Sequence, residues 1–301
     1  MKIGFLTACI PTSPLPDLMK WAGENGFDTL EVWSGIEENA DGPYVNGGFN
    51  VDAITNENAA EIVKTAGDAG IKISCLTWCV NMLDPDPATR EKYSEHLKKV
   101  MDAAALLDVD VVSCFVGRDP SKDTEANLTE FELVFAPLMA HASDRGVRIA
   151  IENAPMVGWQ FEGLVGNIGS SPLVWRRMFE IHPAIGLNFD PSHLVWTGVD
   201  YMKATREFAD HIYHVHAKDT EIFKDVLADR GLLPPKNPRW WRHRLPGYGE
   251  VDWAAFIGLL YDVGYDGPLS IEHEDGVFMG EESNRKRGLD LGRKHLEQFV
   301  V

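Results

Sequence analysis

Short apolar runs alternate with amphipathic segments along almost the whole chain. Eight apolar runs have the length of buried strands, and they cover residues 2–8, 29–34, 71–78, 111–116, 147–154, 185–190, 212–218 and 269–274. Other segments repeat their apolar residues with the period of a helix, near residues 16–26, 56–69, 87–107, 124–144, 171–182, 200–210, 252–264 and 283–299. This alternation predicts a parallel sheet covered by helices. Eight strand–helix units match a closed (β/α)8 TIM barrel better than an open, doubly wound sheet.

Glycine marks several of the predicted helix ends. It stands just before a new strand in "ENGFD" (24–28), "DAGIK" (68–72), "DRGVR" (144–148) and "DVGYDG" (262–267). No linker, low-complexity tract or second core interrupts the pattern, so we expect one barrel domain over residues 1–301. Two connections that follow strands are long, residues 155–170 after the fifth strand and residues 219–250 after the seventh. In a barrel, such connections gather at the face that carries the active site.

Charge and composition narrow the classes of partner. The chain carries a formal charge of −18 at pH 7, whereas binding to nucleic acid depends on clustered lysine and arginine. No segment is apolar over the length that a membrane-spanning helix needs. Pro11 cuts the apolar start of the chain, which favours a first strand over a signal peptide. The cysteines lie in or beside predicted strands, which indicates reduced thiols in a cytoplasmic protein: Cys9, Cys75, Cys79 and Cys114.

Ionisable residues end the last four predicted strands. They are Glu152 in "IENA", Asp190 in "NFDPSH", His216 in "HVHAKD" and Glu272 in "SIEHED". Buried carboxylates are costly unless they are paired or bind a cation, and consecutive strands bring these four residues to one point. Three carboxylates with one imidazole suit Mn²⁺ or Mg²⁺, and they also accept Co²⁺ or Zn²⁺. Glu274 shares a strand face with Glu272 and is an alternative ligand.

These motifs, together with "RLPGYGEVDW" (244–253), resemble the xylose isomerase-like superfamily, specifically its sugar phosphate isomerase/epimerase branch. The resemblance covers nearly the whole chain. It implies that the four strand-end residues bind one divalent metal ion, most readily Mn²⁺. It also implies that Glu152 and Glu272 transfer protons, and that His193 contacts the substrate beside the metal.

The chemistry that the resemblance implies starts at a sugar carbonyl. A divalent metal would polarise the carbonyl and acidify the proton on the adjacent carbon, so that proton removal gives an enediolate. Reprotonation gives an epimer or an isomer, and loss of a neighbouring substituent gives a lyase product. We therefore expect a metal-dependent sugar isomerase or epimerase. The alternative is a lyase of the same family that acts on an oxidised (3-keto) glycoside and includes C-glycoside cleavage.

Two other functions of this fold fit less well. Apurinic-site endonucleases of the same superfamily carry extra histidines on the early strands, where this chain has Trp78 and Phe115. The negative charge of the chain also disfavours binding to DNA. A sugar-binding protein without catalysis would be expected to have lost ligands, and all four are present. No phosphate-binding loop of recognised form occurs, which favours an unphosphorylated sugar.

Further residues are candidate contacts to the substrate. Lys218 follows His216 on the inward side of the same strand and either reaches a substrate oxygen or lies solvated on the loop. His214 is either a hydrogen-bonded core residue or a residue that orients a metal ligand. Trp78 and Arg244 complete the candidates for substrate binding. Six tryptophans are expected at this face and suggest an aromatic-lined pocket: Trp33, Trp78, Trp159, Trp196, Trp240 and Trp241.

The long connection at residues 219–250 carries "PRWWRHR" and is expected over the mouth of the pocket. A lid there would exclude water and supply a stacking wall or a cationic contact. Exposed tryptophans also mark interfaces, so a contact in a homo-oligomer is the alternative for Trp240 and Trp241, and both roles can hold together.

Overall fold

Eight parallel strands close into a barrel. In the computed structural model, which describes residues 1–37, 40, 42–157, 165–232 and 239–301, the barrel strands β1–β8 are Lys2–Leu6, Thr29–Trp33, Lys72–Trp78, Val111–Cys114, Arg148–Glu152, Gly186–Phe189, Ile212–Ala217 and Pro268–Ile271. Each strand pairs in parallel with the next, and β1 pairs with both β8 and β2, which closes the sheet. All eight predicted strands and the (β/α)8 fold class are confirmed.

Helices surround the barrel as the apolar periodicity predicts. In chain order the helices α1–α10 are Leu15–Glu24, Ala59–Asp68, Pro87–Leu106, Thr124–Arg145, Pro172–Ile181, Pro191–Thr197, Tyr201–Glu207, Lys224–Arg230, Trp253–Asp262 and Glu282–Leu296. The glycines predicted at helix ends, Gly26, Gly70, Gly146 and Gly264, all have positive φ. Within the described ranges, no helix combines the length and the apolar character needed to cross a bilayer. All four cysteines are free.

Three elements on the active-site side were not predicted. A short hairpin joins Tyr44–Val45 to Gly48–Phe49 within residues 34–58, a third long connection that follows β2. An antiparallel ribbon pairs Asp219–Ile222 with Trp241–Arg244 in the connection after β7. Helix α6 begins directly after Asp190. Each of these elements is short, so none spans enough periods to give a clear pattern in the sequence.

The two sides of the barrel wall differ in polarity. Between strands and helices, large apolar side chains such as Phe5, Phe131, Trp175 and Phe256 are fully buried. Inside the barrel, the strands point polar side chains at one another, among them Glu31, Thr77, Asn188, His214 and Ser270. The apolar layer therefore holds the fold together, while the interior is reserved for a hydrogen-bonded network.

The seam between β1 and β2 depends on Gly4. An added Cβ at Gly4 would lie 2.3 Å from the carbonyl oxygen of Thr29, its partner across the seam. We expect Gly4→Ala to lower the free energy of unfolding by about 1–3 kcal/mol, because the strands would have to separate. Urea unfolding measures this change. Gly67→Ala is the control, because nothing lies within 4 Å of its added Cβ. Equal stability of both variants would show that the seam tolerates a methyl group.

Candidate metal centre at the carboxyl ends of the strands

Neighbouring strands deliver the predicted carboxylates to one end of the barrel. Glu152 is the last residue of β5, Asp190 follows β6, and Glu272 follows β8. The asparagine of "IENA" fixes the spacing, since Asn153 donates to the carbonyl of Asp190 at 2.9 Å and accepts from its amide at 2.7 Å. Atoms of Glu152, Asp190, His193 and Glu272 all lie within 4.8 Å of one another. His193 therefore belongs to the cluster as closely as the predicted carboxylates do.

His216 borders this cluster with one ring nitrogen. Its Nδ1 lies 3.0 Å from Oε2 of Glu272 and 3.6 Å from Oε1 of Glu152. Its Nε2 points the other way, into the barrel, at 2.8 Å from Oε2 of Glu31. The four predicted ligands are thus neighbours, and coordination by them stays a prediction.

Two buried atoms at this point have no hydrogen-bond partner. They are Oδ2 of Asp190 and Nδ1 of His216. Each has a charged neighbour that does not meet hydrogen-bond geometry, Lys218 at 3.2 Å from Asp190 and Glu272 at 3.0 Å from His216. The other oxygen of Asp190 accepts from the amide of Ser192 at 2.8 Å and so caps α6. A buried acceptor without a partner costs free energy unless a ligand satisfies it. Three carboxylates with one imidazole nitrogen therefore fit a divalent cation, which Glu152, Asp190, His216 and Glu272 would hold.

The two candidate proton-transfer residues have opposite pKa shifts. Burial, followed by the charge of Glu272, raises the pKa of Glu152 to about 7. Burial also acts to raise the pKa of Glu272, but Lys218 and His216 outweigh it and hold that pKa well below its usual range. Two carboxylates with separated pKa values form the arrangement that acid–base catalysis needs.

Lys218 is buried among the carboxylates. Its Nζ lies 2.7 Å from Glu272, 2.9 Å from Glu274 and 3.2 Å from Asp190, and it contacts Nε2 of His193 at 3.0 Å. Only 1% of the side chain is exposed, so the alternative of a solvated loop lysine is wrong. Its contact to substrate stays a prediction. Glu274, the alternative ligand, pairs with Lys218 and is 45% exposed.

A cavity of about 440 Å³ opens above the cluster. Glu152, His193, Lys218 and Glu272 form part of its lining. The opposite wall comes from the "PRWWRHR" segment, where the alternate residues Arg239, Trp241 and His243 face the cavity. The sequence predicted a cationic contact from this segment, but it did not single out Arg239 and His243 from their neighbours. Successive side chains of a strand face opposite sides, so a strand predicted for this segment would have placed these alternate residues on one face.

Trp78 and Arg244, predicted to bind substrate, lie elsewhere. The indole of Trp78 packs edge-on against His96 and Tyr93 under α3. The guanidinium of Arg244 contacts Asp275 at 2.8 Å and Glu221 at 2.6 Å. Among the described residues that line the cavity, neither is present. Arg244 faces away because it is out of phase with Trp241 and His243 on the ribbon.

The tryptophans of the long connection are buried within the chain. Trp240 is 3% exposed and Trp241 is 7% exposed. Trp241 stacks on Trp196 with ring centroids 4.4 Å apart and thereby covers one side of the cavity. Because these tryptophans are buried, they no longer support a contact in a homo-oligomer. Trp159, a sixth tryptophan expected at this face, lies outside the described residues.

A second group of metal-binding residue types lies deeper in the barrel. It consists of Glu31, His214 and His216. Sequence analysis missed Glu31, although a glutamate inside the apolar run "TLEVW" is a visible anomaly. Each carboxylate oxygen of Glu31 already accepts hydrogen bonds, from Thr77, Asn188, Ser270 and His216. Without a free acceptor, this group is a hydrogen-bonded network and a poor site for a cation.

The family model described as xylose isomerase-like TIM barrel matches residues 19–298. The chain belongs to this family.

Its relatives include epimerases and dehydratases. An uncharacterized protein of Bacillus subtilis, YfiH, is 27% identical over 99% of this chain and all of that protein. A ketose 3-epimerase of Arthrobacter globiformis is 23% identical, covering 80% of this chain and 75% of the epimerase. A 3-dehydroshikimate dehydratase of Pseudomonas putida is 26% identical over 86% of this chain, which spans only 36% of the dehydratase.

Solved structures agree on the fold. The chain superposes on a protein named IOLI, with a bound zinc atom, at a TM-score of 0.70 and 18% identity, over the full length of both. D-psicose 3-epimerase of Clostridium cellulolyticum gives a TM-score of 0.68 at 15% identity, over 99% of both chains. At these identities the likeness shows the barrel fold.

Asp190 provides the sharpest test of the metal centre. Asp190→Asn keeps the cap on α6, because asparagine is an equally good N-cap, but it removes the anionic oxygen. We expect the purified variant to lose stoichiometric Mn²⁺ and to keep its melting temperature in the presence of a chelator. Metal analysis after dialysis measures the first, and calorimetry measures the second.

Asp200→Asn is the matched control, because Asp200 caps α7 through the amide of Lys203 and is exposed, whereas Asp190 is buried. It should retain metal. An Asp190→Asn protein that still holds one Mn²⁺ per chain would remove Asp190 from the ligand set.

Proposed function

We propose that the protein is a divalent-metal-dependent sugar isomerase or epimerase that removes the proton next to a carbonyl. The observation that carries this proposal is the pair of glutamates beside Nδ1 of His216. One of them, Glu152, has a pKa raised to about 7, first by burial and then by Glu272. A base with a pKa near the working pH is the most effective at moving protons.

A metal ion at this cluster would act as a Lewis acid toward the carbonyl oxygen of the substrate. Mn²⁺ is our preferred ion, because three carboxylates make the donor set hard and oxygen-rich.

The protein's own residues then divide the work. Glu152 takes the proton from the carbon next to the carbonyl. Glu272, which is ionised at rest, first takes up a proton from solvent and then returns it from the other side of the substrate. Lys218 holds Glu272 ionised through their 2.7 Å contact. His193 and His243, with ring centroids 5.5 Å apart, line the cavity where sugar hydroxyls would be bound. Trp241 and Trp196 exclude water on the remaining side.

The relatives support this assignment. Both the ketose 3-epimerase of Arthrobacter globiformis and an L-ribulose 3-epimerase of Methylomonas, 23% identical over 74% of this chain, are named for epimerisation of a sugar. For an unphosphorylated substrate, the supporting fact is that Lys218, the buried cation of the cavity, already pairs with carboxylates. The arginine of the lining, Arg239, lies over the ring of Trp241. A phosphate would need cations that are not so engaged.

A lyase acting on an oxidised glycoside is the second candidate. An apolar groove of about 430 Å³ adjoins the catalytic cavity, and Val157 and Trp196 line both. Such a groove would suit an apolar group attached to the sugar. The dehydratase of Pseudomonas putida supports elimination as an outcome within the family. Both candidates begin with the same proton abstraction at Glu152 and differ in the fate of the product.

Hydrogen exchange with solvent separates proton abstraction from other chemistry. The Mn²⁺-loaded protein would be incubated in D₂O with a panel of ketoses and 3-keto-glycosides. We expect solvent deuterium at the carbon next to the carbonyl, and Glu152→Gln should reduce the rate by at least about 10²-fold because the base is lost. Mass spectrometry and NMR measure the label and identify the product as an epimer, an isomer or an elimination product.

Glu95→Gln, on the exposed side of α3, is the matched control and should keep full activity. A metal-loaded Glu152→Gln protein with near-normal exchange would assign the base to another residue, and His193 is the next candidate.

Trp241 tests the cavity wall. Trp241→Ala removes the ring that stacks on Trp196, so we expect kcat/KM to fall while the mass in solution is unchanged. Trp240→Ala is the comparison, because Trp240 lines the adjoining groove and lies outside the catalytic cavity. Steady-state kinetics and light scattering measure the two properties. Dissociation of an oligomer before any loss of activity would favour the interface instead.

A further inference from the structure

A fully buried glutamate lies directly beneath the candidate metal centre. Glu31 is in the middle of β2 with 0% exposure. The strand register shifts at Leu30/Glu31 on β2 and again at Leu187/Asn188 on β6, the two strands that bring Glu31 and Asn188 together. Register shifts of this kind re-aim a side chain, and they are common beside active sites. The barrel thus departs from regular pairing at the two residues that face His216.

The hydrogen bonds of the network assign a role to each polar atom. The amide nitrogen of Asn188 donates to Glu31 at 3.2 Å and to Ser113 at 3.0 Å, which uses both of its hydrogens. Its oxygen must then accept from Nδ1 of His214, at 3.0 Å. The remaining nitrogen of His214 lies 3.2 Å from the hydroxyl of Ser74, which also contacts the carbonyl of Leu30 at 3.2 Å. The orientation of the Asn188 amide is therefore fixed by its neighbours.

The same assignment of donors and acceptors shows which ring nitrogen of His216 carries a hydrogen. Oε2 of Glu31 accepts from Ser270 at 2.8 Å and lies 2.8 Å from Nε2 of His216. A carboxylate oxygen only accepts, so Nε2 of His216 carries a hydrogen and donates it. The 3.0 Å contact between this nitrogen and the Asn188 amide nitrogen needs no hydrogen bond, because both hydrogens of the amide are used elsewhere. Nδ1 is left as the nitrogen that faces Glu152 and Glu272.

We propose that Glu31 is the positioning residue of the metal centre: its carboxylate holds the hydrogen on Nε2 of His216 and leaves Nδ1 to coordinate the metal. This proposal rests on the proposed metal-dependent function. A carboxylate behind a coordinating imidazole fixes the ring orientation and makes the nitrogen a better ligand. Glu31 touches neither metal nor substrate, so it acts through His216 alone. This role also gives a reason for the buried polar groups inside a barrel whose outer layer is apolar.

Glu31→Gln tests the role, because it keeps the size of the side chain and removes the carboxylate. The new amide can place a hydrogen opposite Nε2 of His216, which moves the imidazole hydrogen to Nδ1 and blocks coordination. We expect the affinity for Zn²⁺ and Mn²⁺ to fall about 10- to 100-fold. Competition with a chromophoric chelator measures the affinity without any substrate.

Asp219→Asn is the matched control for the loss of a buried carboxylate. Asp219 has 0% exposure. It accepts from the amides of Gly247 and Val251, on the connection that follows the ribbon, and from the indole of Trp253 at the start of α9. It should lose stability and keep its metal affinity. Unchanged affinity in Glu31→Gln with a similar loss of stability would reduce Glu31 to a structural role. Wild-type protein that binds no metal would instead overturn the proposed function.

The wild-type protein provides a test that does not depend on folding of a variant. With Zn²⁺ bound and ¹⁵N-labelled histidine, NMR should show a hydrogen on Nε2 of His216 and a metal-shifted Nδ1. The opposite pattern, with the hydrogen on Nδ1 and metal at Nε2, would overturn the proposal. A second equivalent of Zn²⁺ bound at Glu31, His214 and His216 would also overturn it, because Glu31 would then be a ligand.

Discussion

The free-energy cost of gathering buried carboxylates governs this structure. Glu152, Asp190 and Glu272 converge where β5, β6 and β8 end, and unpaired negative charges in that position would destabilise the fold. Lys218 and His216 offset part of this repulsion by contacts of 2.7–3.2 Å and 3.0–3.6 Å. Glu152 responds by a raised pKa, so it holds a proton more readily than an ordinary glutamate. The repulsion between these carboxylates destabilises the fold, but it also favours the binding of a cation and raises the pKa of a base.

Different layers of the barrel stabilise the fold and carry the polar groups of the site. An apolar layer between strands and helices supplies the burial that stabilises the chain, and its large members, such as Phe135, Trp175 and Phe189, are fully buried. The interior is then free to carry Glu31, Asn188 and His214, which bond to one another and to the polar residues around them. A satisfied polar network is rigid. The side chains at the carboxyl ends of the strands thus stand on a fixed base.

The sequence predicts the strand-end residues of the site better than the side chains that line the cavity above them. Strand-end residues such as Glu152 and Asp190 could be found because apolar periodicity locates strands, and parallel strands share one edge. His193 joins the carboxylates through the first turn of α6, a helix too short to show a period. Glu31 was missed because the role of a mid-strand glutamate depends on which residues face it across the barrel. The orientations of Trp241 and Arg244 depend on the register of the ribbon, which pairs Ile222 with Trp241 and Asp219 with Arg244.

The central claim is that the four strand ends form one metal centre above the buried network. A crystal structure grown with Mn²⁺ and measured at the manganese absorption edge tests it directly. The account predicts one anomalous peak per chain, about 2.0–2.4 Å from Oδ2 of Asp190, Nδ1 of His216 and the carboxylates of Glu152 and Glu272. A peak among Glu31, His214 and His216, or a Mn²⁺-loaded crystal without a peak at the strand ends, would contradict it.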